Sequence, residues 1–287
     1  MESDVDAPSP ANAAELLRRH SEMRDRVGQL GPSRSFARLS VWSALALAVY
    51  LAAFLLSFSA GSGQGENGGT APAAYTNMLL FPFLLFGALI AGAQERFSIR
   101  STGARTAWIP KGLVLGAFIA LFVLNLLGVD YPWWLNVFVV LAAFVALAFE
   151  PLRLLRHAPA TPASERWTNQ PLSPAARRMT ALIGVAAGAL LATSSESWFL
   201  YVSLLSMLFL VLVLVGWRAR WGLLRTGYEW GPLHWGAFGI TMSILFLVGV
   251  LLSRTNWVSA PVAIATGATA LLVMVAASAL PVRGTGD

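Results

Sequence analysis

Eight stretches of this chain run for seventeen to twenty-four residues without an Asp, Glu, Lys or Arg. At about 1.5 Å per residue, a helix of that length crosses roughly 30 Å of hydrocarbon. Lipid offers no partner to a backbone N–H or C=O, so an apolar run of this kind must satisfy its own backbone as a helix. Composition points the same way: 56% of the residues are hydrophobic and 12% charged, too few polar side chains to cover a soluble globule of 287 residues. The sequence therefore predicts an all-α, polytopic membrane helix bundle.

The runs place about eight transmembrane helices at 39–60, 77–94, 112–129, 132–149, 179–195, 197–217, 234–253 and 257–280. Turn residues separate them: Gly61 to Gly69, Asp130 with Pro132, Pro151, and Gly231 with Pro232. Three regions follow, a 1–38 tail, a 39–280 bundle and a short 281–287 tail. Nineteen of the twenty Lys and Arg residues fall in the tails and alternate connections, and Arg254 alone lies on the other side. The positive-inside rule then puts both termini in the cytoplasm of a cell with a cytoplasmic membrane, and the net charge of +6 favours an anionic inner leaflet. Tyr75, Trp133, Trp198 and Trp257 each open a helix after an outer turn, 58 to 65 residues apart. That rhythm suggests four helical hairpins, either as a true repeat or as the ordinary spacing of short outer turns.

One segment stands apart. "WRARWGLLRTGYEWGPLHW", residues 217–235, carries four tryptophans and three arginines in nineteen positions. Continued as a helix from the sixth span, it stacks Trp217, Trp221, Leu224 and Tyr228 on one face, flanked by Arg218, Arg220 and Arg225. The pattern predicts membrane-interface anchors, Trp217, Trp221, Arg218, Arg225, Trp230 and Trp235, with rings at headgroup level and guanidinium groups toward phosphate. A nucleic-acid surface also interleaves basic and aromatic residues, but so short a loop brings no binding fold, and no nucleic-acid partner is expected.

Small residues at a spacing of four occur at Gly87/Ala91, Gly112/Gly116, Gly184/Gly188 and Ala263/Gly267. They read as close helix packing within one bundle, or as a homo-oligomer face. The N-terminal tail contains an amphipathic helix over residues 12–30. Asn12 is its N-cap, Glu15 completes the capping box, Leu16, His20, Met23, Val27 and Leu30 form its stripe, and Gly31-Pro32 stops it. Its mixed charge suits a cytosolic or membrane protein partner, or plain solvation, better than deep insertion. The polar leader and long apolar run do not fit a signal peptide.

Chemistry is sparse. With no cysteine, thiolate metal sites and thiol nucleophiles are excluded. The histidines, His20, His157 and His234, form no metal or haem pair, and the lone lysine, Lys111, sits at a helix mouth, so neither an enzyme nor a cofactor is expected. None of the fourteen acids lies in a helix centre, which disfavours ion coupling. Asn125, Ser203, Ser206, Thr241 and Ser243 form either an intramembrane polar path or interhelical hydrogen-bond packing. On the outer face Asp130 and Glu196 oppose Arg254, as an ion pair across a mouth or as solvated turn residues. The expected function is a transport-associated, permease-like subunit without its own ion-coupling site, which requires a polar cavity to mid-membrane; the alternative is a membrane-anchored regulator or assembly factor, which requires a closed bundle and a working N-terminal helix.

Overall fold

The structure, a computed structural model, describes Arg18 and residues 33–58, 75–97, 108–127, 129, 131–157, 171–219 and 221–282. The expected N-terminal helix, apart from Arg18, lies outside the described residues, as do Asp130 and Arg220. Among the described residues there are nine helices and no strand: α1 (Arg34–Phe58), α2 (Thr76–Arg96), α3 (Trp108–Leu126), α4 (Trp134–His157), α5 (Pro174–Ala192), α6 (Phe199–Val215), α7 (Leu223–Glu229), α8 (Pro232–Arg254) and α9 (Ala260–Ala279). Six of them, α1, α2, α4, α5, α8 and α9, are long and apolar enough to cross a membrane. The stretch Lys111–Asn125 of α3 and the whole of α6 are shorter apolar helices.

Local chemistry sets the ends. Ser173 caps α5, its hydroxyl accepting from the Ala176 N–H at 3.3 Å, with Pro174 in the first turn where no N–H is needed. The helix thus begins five residues before the expected 179. Pro151, expected to break the fourth span, instead lies inside α4, which runs on to His157.

The centre is α2, the most buried of the long apolar helices, packed against α1, α6, α7 and α8. Phe81, Leu85 and Leu89 on α2 are sealed among protein side chains, and Phe83 stacks on Tyr50 of α1 with centroids 4.1 Å apart. Apolar side chains gain little by leaving lipid for protein, so shape fit holds such a bundle together. The clearest case is the seam between α5 and α9. A Cβ on Gly188 would stand 2.8 Å from the Gly267 carbonyl oxygen, and one on Gly184 2.6 Å from the Met274 Cβ, so only glycine lets these backbones meet. Gly87, Gly112 and Gly116 face open space instead. On the far flank α4 packs along α1 and α3, and Lys111 Nζ lies 3.9 Å from a Glu150 carboxylate oxygen.

Contacts at the helix ends define two poles. Phe36 meets Phe97, and Trp42 meets Trp235, at the pole that carries Arg34, Arg38, Arg96, Arg177, Arg178, Arg218 and Arg225. At the opposite pole Phe54 and Phe58 meet Phe122, and the Arg254 Nε–H donates to the Leu56 carbonyl at 2.6 Å. Hence α1 and α8 lie side by side in the same sense.

Candidate functional site at the arginine-rich pole

The tryptophan- and arginine-rich segment does not continue α6. The helix stops at Val215, and the chain turns through Gly216–Gly222 with the Ala219 N–H on the Gly216 carbonyl and the Gly222 N–H on the Ala219 carbonyl. A Cβ on Gly216 would meet the Trp221 ring, an exposed side chain that would have to move aside. Residues 223–229 then form α7, which crosses the end of α2 where Gly92 faces the Leu224 carbonyl and Gly227 faces the Leu89 carbonyl. A side chain on either glycine would collide with backbone, so this pair fixes where the crossing falls. The helical stripe expected across Trp217 and Tyr228 loses to this tertiary fit.

Side chains then tie the crossing down. Arg96 at the end of α2 donates to the Tyr228 carbonyl at 2.9 Å, and its guanidinium sits 5.4 Å from the centre of the Tyr228 ring. Glu229 accepts from Arg225 Nε at 2.8 Å and from the Ser173 N–H at 2.9 Å, joining α7 to the start of α5. Burial acts to raise the Glu229 carboxyl, but the Arg225 and Ser173 hydrogen bonds and the Arg225 charge outweigh it and hold the group below the ordinary carboxylate range. Trp230 is buried, its Nε1–H donating to the Thr180 hydroxyl at 2.9 Å. The His234 Nδ1 accepts from the Gly231 N–H at 3.4 Å, which caps α8 and places the ring proton on Nε2. Trp42, Phe86, Trp230, Trp235 and Phe238 complete an aromatic plug.

Two of the expected interface anchors are thereby corrected. Trp230 and Trp235 are 1% and 3% exposed, so their rings face protein and not headgroups. The cause is α7: once the chain folds back onto α2, the residues after it enter the bundle. Trp221, Arg218 and Arg225 are exposed and Trp217 half-buried, with the Arg218 guanidinium 5.0 Å from the centre of the Trp217 ring. Glu229, Ser173, Thr180 and Gly92 were not singled out by sequence. Ser173-Pro174 carried a capping signal, and Arg225 stands one turn before Glu229, while Ser173, its other partner, and the partners of Gly92 lie far away along the chain.

The polar residues inside the bundle do not gather. Ser203 accepts from Asn77 Nδ2 at 2.6 Å, joining α6 to α2, and Ser206 is buried one turn further. Thr241 is buried on α8, with no hydrogen-bond partner for its hydroxyl, and Ser243 donates to the Gly239 carbonyl of its own helix. The two sets stand on different helices, α6 and α8, which both pack against α2. Asn125 is buried on α3, near the end of α1. At the opposite pole Glu196 is exposed and forms no ion pair with Arg254, whose guanidinium is docked on α1 and near Tyr131. The Glu196 half of the expected outer cluster is therefore not formed, because α8 ends against α1.

Among the described residues no three His, Asp or Glu side chains converge to hold a metal ion. Comparison with known protein families, with curated proteins and with solved structures found no match. The helices define the class: this is a multi-pass membrane protein, with apolar surfaces suited to a lipid bilayer.

Proposed function

We propose that the chain is a membrane-embedded scaffold: a regulator or assembly factor of the cytoplasmic membrane that holds a cytosolic partner through its N-terminal segment and its basic loops. In this reading it has eight spans in four hairpins, both termini are cytoplasmic, and it performs no catalysis of its own. The eight-span reading is supported by the two shorter apolar helices, which coincide with two of the uncharged runs. The orientation is supported by the cluster of arginines at one pole.

One observation carries the choice of a scaffold over a transport subunit. A permease-like path needs polar groups lining a cavity to mid-membrane, whereas here Phe81, Leu85, Leu89, Leu245 and Phe246 fill the space around α2. Ser206 and Thr241 are buried on different helices, α6 and α8, which both pack against α2. The polar groups that do converge, Glu229 with Arg225 and Ser173, and Trp230 with Thr180, are engaged with each other as ties between helices.

The chain has no cysteine, so single cysteines test the interior directly. In the reconstituted protein, Ser206→Cys and Thr241→Cys should resist a small water-soluble thiol reagent from both sides, while Ser195→Cys reacts. Reaction of Thr241→Cys in the folded protein would mean that water reaches mid-bilayer, which restores the transport reading. In native membranes, deleting residues 1–30 should leave the bundle inserted but reduce the size of the complex it runs in. An unchanged complex removes the partner-holding role.

A further inference from the structure

Between α1 and α8 lies an open cleft of about 440 Å3, lined by Trp42, Leu45, Val49, Gly236, Ile240 and Leu247, among others. The lining is apolar apart from the Ser243 hydroxyl, which donates to the Gly239 carbonyl, and the Trp42 indole N–H. It offers little to a hydrophilic ligand. At Gly236 an added Cβ would meet no neighbouring helix within 4 Å, so the cleft is open there.

The two walls share a direction, and their stripes continue past the cleft differently. On α1 the lining residues Trp42, Leu45 and Val49 extend backwards at helical spacing to Arg38 and Arg34, both exposed. Arg38 precedes Trp42 by about one turn and Arg34 by about two, roughly 6 and 12 Å, so both lie on the cleft's stripe beyond its end at the arginine-rich pole. An apolar trough ending at two cations complements one kind of molecule, an amphiphile with a long hydrocarbon chain and an anionic head.

We propose that this cleft is a binding site for an anionic diacyl phospholipid, with one acyl chain between α1 and α8 and its phosphate on Arg34 and Arg38. Basic pockets between membrane helices hold anionic headgroups in this way. The charge-assisted contacts select the head, and the trough selects a chain over a free phosphate, which has nothing to fill it. The proposal rests on the membrane setting and this cleft, and is independent of the scaffold role.

The test uses the full chain in nanodiscs of phosphatidylcholine containing a minor fraction of phosphatidylglycerol, with lipid retained after mild delipidation counted by native mass spectrometry. The wild type should retain phosphatidylglycerol in preference to phosphatidylcholine. Arg34→Gln with Arg38→Gln should cut that preference by roughly thirtyfold, the effect of two cations beside one phosphate. Gly236→Leu, whose Cβ meets no neighbouring helix within 4 Å, puts a branched side chain into the cleft and should displace the lipid while both arginines remain. Arg177→Gln with Arg178→Gln removes the same charge from exposed residues at the start of α5 and should change nothing. Equal losses in the two arginine pairs would reduce the effect to diffuse attraction and overturn the site. Retention without headgroup preference, or retention unchanged in Gly236→Leu, would overturn it as well.

Discussion

Glu229 joins α7 to the start of α5, and its carboxyl is held below the ordinary range by Arg225 and Ser173 despite the opposing effect of burial. A carboxylate whose folded value is depressed stabilises the fold above its unfolded value, and that contribution disappears as pH falls through the folded one. The melting temperature of the detergent-solubilised protein should therefore decline on acidification below about pH 4.3, the ordinary glutamate value. Glu229→Gln should be less stable at neutral pH by about 1 kcal/mol, because Arg225 is exposed and its share is screened. It should also decline less steeply in acid, so that the two curves converge. Parallel curves would show that the carboxylate does not contribute. Single side chains are where the sequence was least legible. Trp230 and Trp235 look like interface anchors by type and neighbourhood, yet both lie inside the aromatic plug. Their burial depends on the chain folding back at Gly216, a fact about α2 that no local pattern contains.

Element by element, legibility was much better, since an uncharged run of membrane length leaves a chain few alternatives. Each of the eight uncharged runs falls on a helix, six of them long and apolar enough to cross a membrane, but the ends shift: α1 and α5 begin five residues early, α5 where serine and proline set the cap, and α4 runs eight residues past the expected 149. Small-residue spacing was a weaker guide. Gly184/Gly188 and Ala263/Gly267 form a real seam, while Gly112/Gly116 face open space at the same spacing, because the pattern says that a face is narrow and not what approaches it. The two pairs should respond differently to filling. Gly188→Leu forces α9 away from α5 and should cost 3 kcal/mol or more on the scale where ordinary overpacking costs roughly 1–3 kcal/mol. At Gly116 an added Cβ meets no neighbour, so Gly116→Leu should stay within about 0.5 kcal/mol of wild type. Equal losses in thermal or denaturant unfolding would mean that the seam is not a tight contact.

For the whole molecule, the two poles yield a topological expectation that follows from the arginine distribution. Single cysteines replacing Ser195 and Asn256, both exposed at the pole of Arg254, should react with an impermeant thiol reagent added outside intact cells. Cysteines replacing Gln94 and Arg218, exposed at the arginine-rich pole, should react after the membrane is opened. Labelling of Gln94→Cys from outside would invert or dismantle the arrangement. The crossing of α7 over α2 has a further consequence, in time rather than space. α2 enters the bilayer well before residues 223–229 leave the ribosome, so for that interval its Gly92 notch is empty and Arg96 lacks the tyrosine it later rests on. Insertion and closure are thus separate events in the life of each molecule, and the nascent chain passes through a stage with an uncovered glycine groove, the moment at which membrane chaperones or proteases can act on it.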